Sequence, residues 1–353
     1  MMGTWKKKRV RTYIILSAIM IVGLSNQGDA ASDKGGVEDF YKRSTIRFIV
    51  PTAPGGIFDM LARKIAPSLE KHSGAKVIVE NMPGAGGLVG GSYIYNTAKP
   101  DGLTVGLFNT TGMALHESLE LPTVKYKLDK YTYICRTDML NQMLFTSKAS
   151  GFKTISDMQK ATRTFRVGAT DPASAAAMAG ALLIEAFGLN AKMVAGYKGI
   201  AEVMLAIVAG RELDAVITTP AGFDGFVRGD QITVAAAWHH KRRPIFPEVP
   251  AALETPGLKP EGKKYLELGN TLADIGRMIL APPGLPEAKR LFLERAFLAS
   301  LREPGMSDWA KNNDCNLAPL PSKESKALVF KVLEYIPKSE RPKFKHIIMQ
   351  KYY

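Results

Sequence analysis

Apolar and polar positions first fall into register between Thr45 and Ala62, TIRFIVPTAPGGIFDMLA. Ile46, Phe48 and Val50 alternate with Arg47 and Ile49, a β-branched and aromatic run that predicts a buried strand stopping at Pro51. Pro54, Gly55 and Gly56 then form a tight bend. Ile57, Met60, Leu61, Ile65 and Leu69 recur at helical spacing after it and predict a helix over 57–71. Strand, glycine turn and helix in that order leave backbone N–H groups unbonded at the helix start, where the helix dipole favours negative charge. A carboxylate can be held there without a basic side chain, and glycine keeps a Cβ out of its way. Plain chain reversal is the other reading of such a turn. A second unit tips the balance toward one site lined by two turns: the strand Lys76–Glu80, the turn Asn81-Met82-Pro83-Gly84-Ala85-Gly86-Gly87, and an apolar helix over 87–97.

The alternation continues along the chain. Strands are predicted at Leu103–Phe108, near Gln142–Phe145, and at Phe165–Gly168, Leu213–Thr218 and Ile232–Ala237. Helices are predicted within Gly151–Lys160, through the alanine-rich run to Phe187, and over Ala201–Ala209. This pattern predicts an α/β protein whose parallel sheets are covered by helices, with ligands gathering at the carboxyl ends of the strands. Asn109-Thr110-Thr111-Gly112 follows a strand at such an end, where its hydroxyls serve either as ligand donors or only as a turn. Ser32 to Ser44 reads as a polar leader onto the first strand, and Phe246–Pro250 as a return crossing. The helix after Ala281–Pro286 is expected to pack on the first lobe together with the carboxyl-terminal segment.

The amino-terminal run Lys6-Lys7-Lys8-Arg9, the short apolar stretch Tyr13–Leu24 and the small residues around Ala30 stand in signal-peptide order. Cleavage after Ala30 is expected, placing the chain in the periplasm; an uncleaved anchor is the alternative, although the stretch is short for a bilayer span. The full sequence has 353 residues and a net charge of +14, of which about +10 lies beyond the leader. About 320 residues exceed one ordinary core and suggest two lobes. Basic residues at Lys241-Arg242-Arg243 and near Lys338, Arg341, Lys343, Lys345 and Lys351 lack interleaved aromatics, so they read as solvated faces or a docking surface for a membrane partner, not as a nucleic-acid site. Cys135 and Cys315 would pair only if folding brought them close. Two cysteines and five scattered histidines make a poor metal set, and His239 and His240 would point apart on a strand. No G-x-S-x-G elbow or phosphate-binding lysine motif occurs; Gly84-x-Gly86 has Val89 at the third glycine position of a dinucleotide turn, and Ser174 has no histidine placed beside it by any motif. Neither an enzyme nor a cofactor is predicted.

The pairing of IVPTAPGGIFDMLAR (Ile49 to Arg63) with VIVENMPGAGG (Val77 to Gly87) and KPDGLTVGL (Lys99 to Leu107) resembles the tripartite tricarboxylate transporter substrate-binding family, the Bug-type extracytoplasmic solute receptors. AGYKGIAEVMLAIVAGRELDAVITT (Ala195 to Thr219), FPEVPAALETPG (Phe246 to Gly257) and LAPPGLPEAKRL (Leu280 to Leu291) follow in the matching order. The resemblance implies a two-lobed periplasmic binding protein of type II, a Venus flytrap whose lobes are each a parallel-rich sheet flanked by helices. Residues 1–30 would be the leader, 31–146 the first part of lobe I, 147–249 lobe II, and 250–353 the return to lobe I with the carboxyl-terminal helices. It implies a monomer that binds a small organic carboxylate or amino-acid-like ligand and delivers it to integral membrane transporter subunits. A receptor for a membrane signalling protein and an exported enzyme are the alternatives.

In this reading Gly55, Gly56 and Ile57 offer backbone N–H groups to one carboxylate, Pro54 and Phe58 are ligand-binding neighbours, and Asn81, Ala85, Gly86 and Thr110 shape the first-lobe wall. Ala173 and Ser174 supply the second-lobe contact, with Tyr197 and Thr219 as further lining. Asp59 either braces the loop or meets an amine on the ligand. Asp171, before Pro172, is expected to cap the next helix through the N–H of Ala173 or Ser174. Its charge either faces the cleft and, with Asp59, disfavours a dicarboxylate, or faces away. Ala177 stands where the family carries a histidine, which leaves the ligand class open.

Overall fold

The computed structural model describes residues 29–220, 223–238, 241–243 and 246–353. The expected leader lies outside the described residues except for Asp29 and Ala30, and so does the His239-His240 pair. The stretch read as an irregular leader is instead a helix, α1 (Asp29–Lys42). Val37 and Tyr41 lie four residues apart, so one helical face buries both, and Tyr41 stacks on Phe292 with centroids 4.5 Å apart. This two-residue stripe is too sparse to stand out in a polar segment.

The first lobe then builds β1 (Thr45–Val50), α2 (Ile57–Ser73), β2 (Lys76–Asn81), α3 (Leu88–Asn96), β3 (Thr104–Asn109), α4 (Thr110–Ser118) and β4 (Thr132–Met139). Leu61, Ala62, Ile65 and Leu69 bury one face of α2, and the helix stops where Gly74 turns left-handed and donates its N–H to Glu70 O. The second lobe comprises β5 (Gln142–Ser147), α5 (Ile155–Gln159), β6 (Phe165–Gly168), α6 (Ala175–Phe187), β7 (Ala191–Val194), α7 (Ile200–Ala209), β8 (Ala215–Thr218), α8 (Asp224–Arg228) and β9 (Ile232–Trp238). The remainder is α9 (Gly262–Ile275), β10 (Arg277–Ala281), α10 (Glu287–Leu301), α11 (Pro304–Asn312), β11 (Asn316–Pro321), α12 (Ser322–Leu333) and α13 (Arg341–Met349). Among the described residues, no helix is long and apolar enough to cross a membrane.

Two sheets result, in the order β11-β4-β10-β3-β1-β2 and β7-β6-β8-β5-β9. β1 is parallel to β2 and β3, while β10 lies antiparallel between β3 and β4. In the second sheet β6 is parallel to β7 and β8, and β5 runs antiparallel to β8 and β9. Each lobe is thus a parallel-rich sheet flanked by helices.

Both crossings fall elsewhere than the sequence reading put them. Gln142–Ser147 pairs within the second sheet, so the chain changes sheets at residues 140–141 and not at 146. Ala251 still bridges Ala237 of β9, and the return runs through α9 and not through Phe246–Pro250. The two crossings lie side by side, Leu140 donating its N–H to Ala273 O at 3.1 Å. One apolar core runs from α4 through α9 to α6 and α13 across both lobes; another lies between the first sheet, α2 and α10. The carboxyl-terminal segment ends on the second lobe, contrary to expectation: Phe344, Ile347 and Ile348 are buried, α13 packs on α6, and Met193 N–H donates to Tyr352 O at 2.7 Å. The reason is α6 itself, which is apolar around nearly its whole circumference and must be covered on several sides.

Candidate functional site

Because β1, β2 and β3 are parallel, their carboxyl ends gather Pro51–Gly56, Met82–Gly87 and the start of α4 at one end of the first sheet. β4 runs the same way, and Arg277, the first residue of antiparallel β10, is paired with Asn109 and Asp138 at that end. In the second sheet β6, β7 and β8 likewise deliver Ala169–Ser174, Ala195–Gly199 and Thr219 to one end. The two ends meet. A Cβ on Gly86 would lie 3.3 Å from Ala173 O, and His116 Nε2 on α4 donates to that same carbonyl at 2.6 Å.

The first glycine turn has the form the sequence predicts. Gly56 is the N-cap of α2 in extended conformation, and the first helical bond runs from Met60 N–H to Gly56 O at 2.9 Å. The N–H groups of Ile57, Phe58 and Asp59 lie ahead of that bond. A Cβ on Gly55 or Gly56 would meet nothing within 4 Å, so this side of the turn is open. Asp59 is buried and braces the loop. Its Oδ2 accepts from Gly55 N–H at 3.0 Å, and its Oδ1 from Arg63 Nε at 2.9 Å and Asn81 Nδ2 at 3.1 Å. Burial alone would raise the Asp59 carboxyl, but Arg63, the Gly55 N–H and Asn81 outweigh it and hold it below the usual carboxylate range. Gly55 N–H is therefore already engaged, a correction to its expected role as a free donor. Asn81 also ties Thr52 O at 3.0 Å, joining the two turns, while Pro54, Ala85 and Gly86 are exposed beside them.

Other expected residues are placed differently. Thr110 is fully buried, and its hydroxyl donates to Gly276 O at 2.9 Å, so it braces α4 against β10 and does not present a donor to the cleft. Ser174, not Asp171, caps α6, accepting from Ala177 N–H at 3.2 Å. Asp171 accepts from Ala173 N–H at 2.7 Å, and its carbonyl from Ser174 N–H at 2.8 Å; this turn delays the helix by three residues. The second-lobe helix start is thus capped from within. Ala177 is buried inside the lobe. Tyr197 donates to Glu212 at 3.3 Å, and Thr219 is half-buried at the end of β8. A separate depression of about 360 Å³, lined by Lys64, Pro67, Lys71 and Glu303, lies on the flank of α2.

Three residues that the sequence reading passed over stand out. His116 is 2% exposed, and its Nδ1 has no partner. Arg277 is equally buried: its Nη1 donates to Asp138, its Cζ lies 4.6 Å from the centre of the Phe58 ring, and its Nε is buried without a partner. Asp138 is wholly buried. It also accepts from Thr137 Oγ1 at 2.7 Å and lies 3.6 Å from Cys315 Sγ; burial pushes its carboxyl up against the pull of Arg277. Nothing local marks these residues, although the aromatic and β-branched run Thr132–Ile134 could have disclosed the start of β4. Both cysteines are buried and unpaired.

His116 ties the two lobes together through the Ala173 carbonyl and makes stability depend on pH. Burial pushes it below the usual imidazole range, against weaker opposition from the Ala173 carbonyl and the Asp171 carboxylate. The unfolded chain then takes up the proton first, near pH 6.5, so stability is full above that pH and is lost as pH falls toward the lowered folded value. The loss is at most about 1.4 kcal/mol per pH unit. His116→Gln keeps a donor for Ala173 and removes the titration, so its unfolding midpoint should fall less between pH 7 and 5 than that of the wild type. Parallel pH profiles would show that His116 does not titrate in this range.

A family model described as tripartite tricarboxylate transporter family receptor matches residues 61–333. The chain belongs to this family. Membership makes it a solute-binding receptor and not an enzyme. The receptor is 28% identical over 272 residues to a UPF0065 protein of Agrobacterium vitis, covering 76% of this chain and 74% of the relative. Its fold is similar to that of MatC from Rhodopseudomonas palustris with bound malate, with a TM-score of 0.68 and 21% identity over 87% of this chain and 99% of that one. It is similar again to another R. palustris protein with adipate, with a TM-score of 0.71 and 20% identity over 87% and 97% of the two chains.

Proposed function

We propose that the protein is a periplasmic receptor that closes two lobes on one small organic carboxylate and delivers it to the membrane subunits of a tripartite tricarboxylate-type transporter. The observation that carries this reading is the first turn of α2, whose leading N–H groups sit at the carboxyl end of β1 with the space beside Gly56 open. Such a turn binds an anion without a basic side chain. Malate and adipate in the two R. palustris proteins support a carboxylate ligand. In this reading Gly56, Ile57 and Phe58 hold the carboxylate, and Pro54, Asn81, Ala85 and Gly86 wall it. Ala173 and Ser174 close over it, and Tyr197 and Thr219 line the far side. Closure is a hinge motion at residues 139–142 and 273–277, stabilised by a ligand that touches both lobes. The leader at residues 1–30 exports the chain, which acts as a monomer.

Calorimetry with malate, adipate, aspartate, butyrate and the neutral succinamide tests the reading. At about a hundred times its dissociation constant, a bound carboxylate should add roughly 2.7 kcal/mol of stability, and succinamide should add none. A protein that no member of the anionic panel stabilises is not a carboxylate receptor.

A further inference from the structure

We propose that Arg277 is a binding residue of the cleft, its guanidinium supplying, from behind the Phe58 ring, the positive charge that the backbone cradle lacks. The inference rests on the carboxylate reading above. Phe58 is the second residue of α2, so its backbone N–H belongs to the cradle while its ring covers the guanidinium. Arg277 begins β10, a central strand of the first sheet, at the same end as both glycine turns. Its carboxylate partner Asp138 stands on β4, a strand farther from the cradle. The buried pair is therefore a dipole whose positive end faces the anion site, in surroundings that screen it little. The unpartnered, buried Nε adds a donor that no protein acceptor satisfies. Arg63, the other cation near the turn, is bonded to Asp59 but is half exposed, so water and salt screen its charge and it does not serve in this way.

Arg277→Gln alone would strand the Asp138 charge in the core and endanger folding. The test therefore pairs it with Asp138→Asn, so that both charges go together and neither is left buried without its counter-ion. Titration calorimetry with the panel above is run on the wild type, Arg277→Lys, and the double variant. The double variant should unfold cooperatively yet bind any carboxylate at least tenfold more weakly. Arg277→Lys should stay within about threefold of the wild type, which a merely structural role for the guanidinium would not give. Unchanged affinity in the double variant would overturn the inference while leaving the carboxylate reading intact. A wild type that binds none of the panel would remove both.

Discussion

Gly56→Val should abolish carboxylate binding while leaving the unliganded protein folded. Gly56 has φ −83° and ψ 170°, extended backbone that valine adopts readily, and a Cβ there would meet nothing within 4 Å. The substitution costs at most about 1 kcal/mol, because glycine at this N-cap makes no side-chain bond that valine would forfeit. The added methyl groups instead occupy the open space ahead of the Ile57 and Phe58 N–H groups, where a carboxylate would sit. The stabilisation of roughly 2.7 kcal/mol expected for the liganded wild type should vanish, and the unliganded melting temperature should move by only a few degrees. Calorimetry with and without ligand measures both, and a Gly56→Val protein that binds as tightly as the wild type would show that the first turn is not the cradle.

Gly276→Ala should be the most damaging single-methyl change at the hinge, costing roughly 3–5 kcal/mol of stability. Gly276 joins α9 to β10 with φ 72° and ψ −148°, a conformation reserved in practice for glycine. A Cβ there would also run into the Asp138 carbonyl, and the peptide cannot rotate away easily, because its own carbonyl accepts the hydroxyls of Thr110 and Thr111. Denaturant unfolding would register the loss as a lower midpoint with an unchanged slope. A midpoint within about 1 kcal/mol of the wild type would mean that the helix and strand do not approach this closely.

The sequence determined the parts of the site that are local. The β1 strand, the Pro54-Gly55-Gly56 turn and the α2 helix are fixed by side-chain period and by the conformational freedom of glycine, both of which act within a few residues. The same holds for the second glycine turn and for the order of strands and helices that predicts two parallel-rich sheets. The Asp59–Arg63 pair, one helical turn apart, was legible in principle by the same spacing.

Only the tertiary structure decided which sheet β5 joins, because an apolar strand carries no label for its partner and its partners stand 69 to 96 positions later. It also decided that Thr110 faces Gly276, and that α13 covers α6 on the second lobe. The Asp138–Arg277 pair spans 139 residues and becomes informative only once β10 inserts between β3 and β4 and places a buried cation behind Phe58. His116 is a lone histidine in an apolar helix until the second lobe brings the Ala173 carbonyl to it. In each case the property that matters, charge beside a cradle or a donor across a cleft, arises from burial and long-range contact, and neither has a period along the chain.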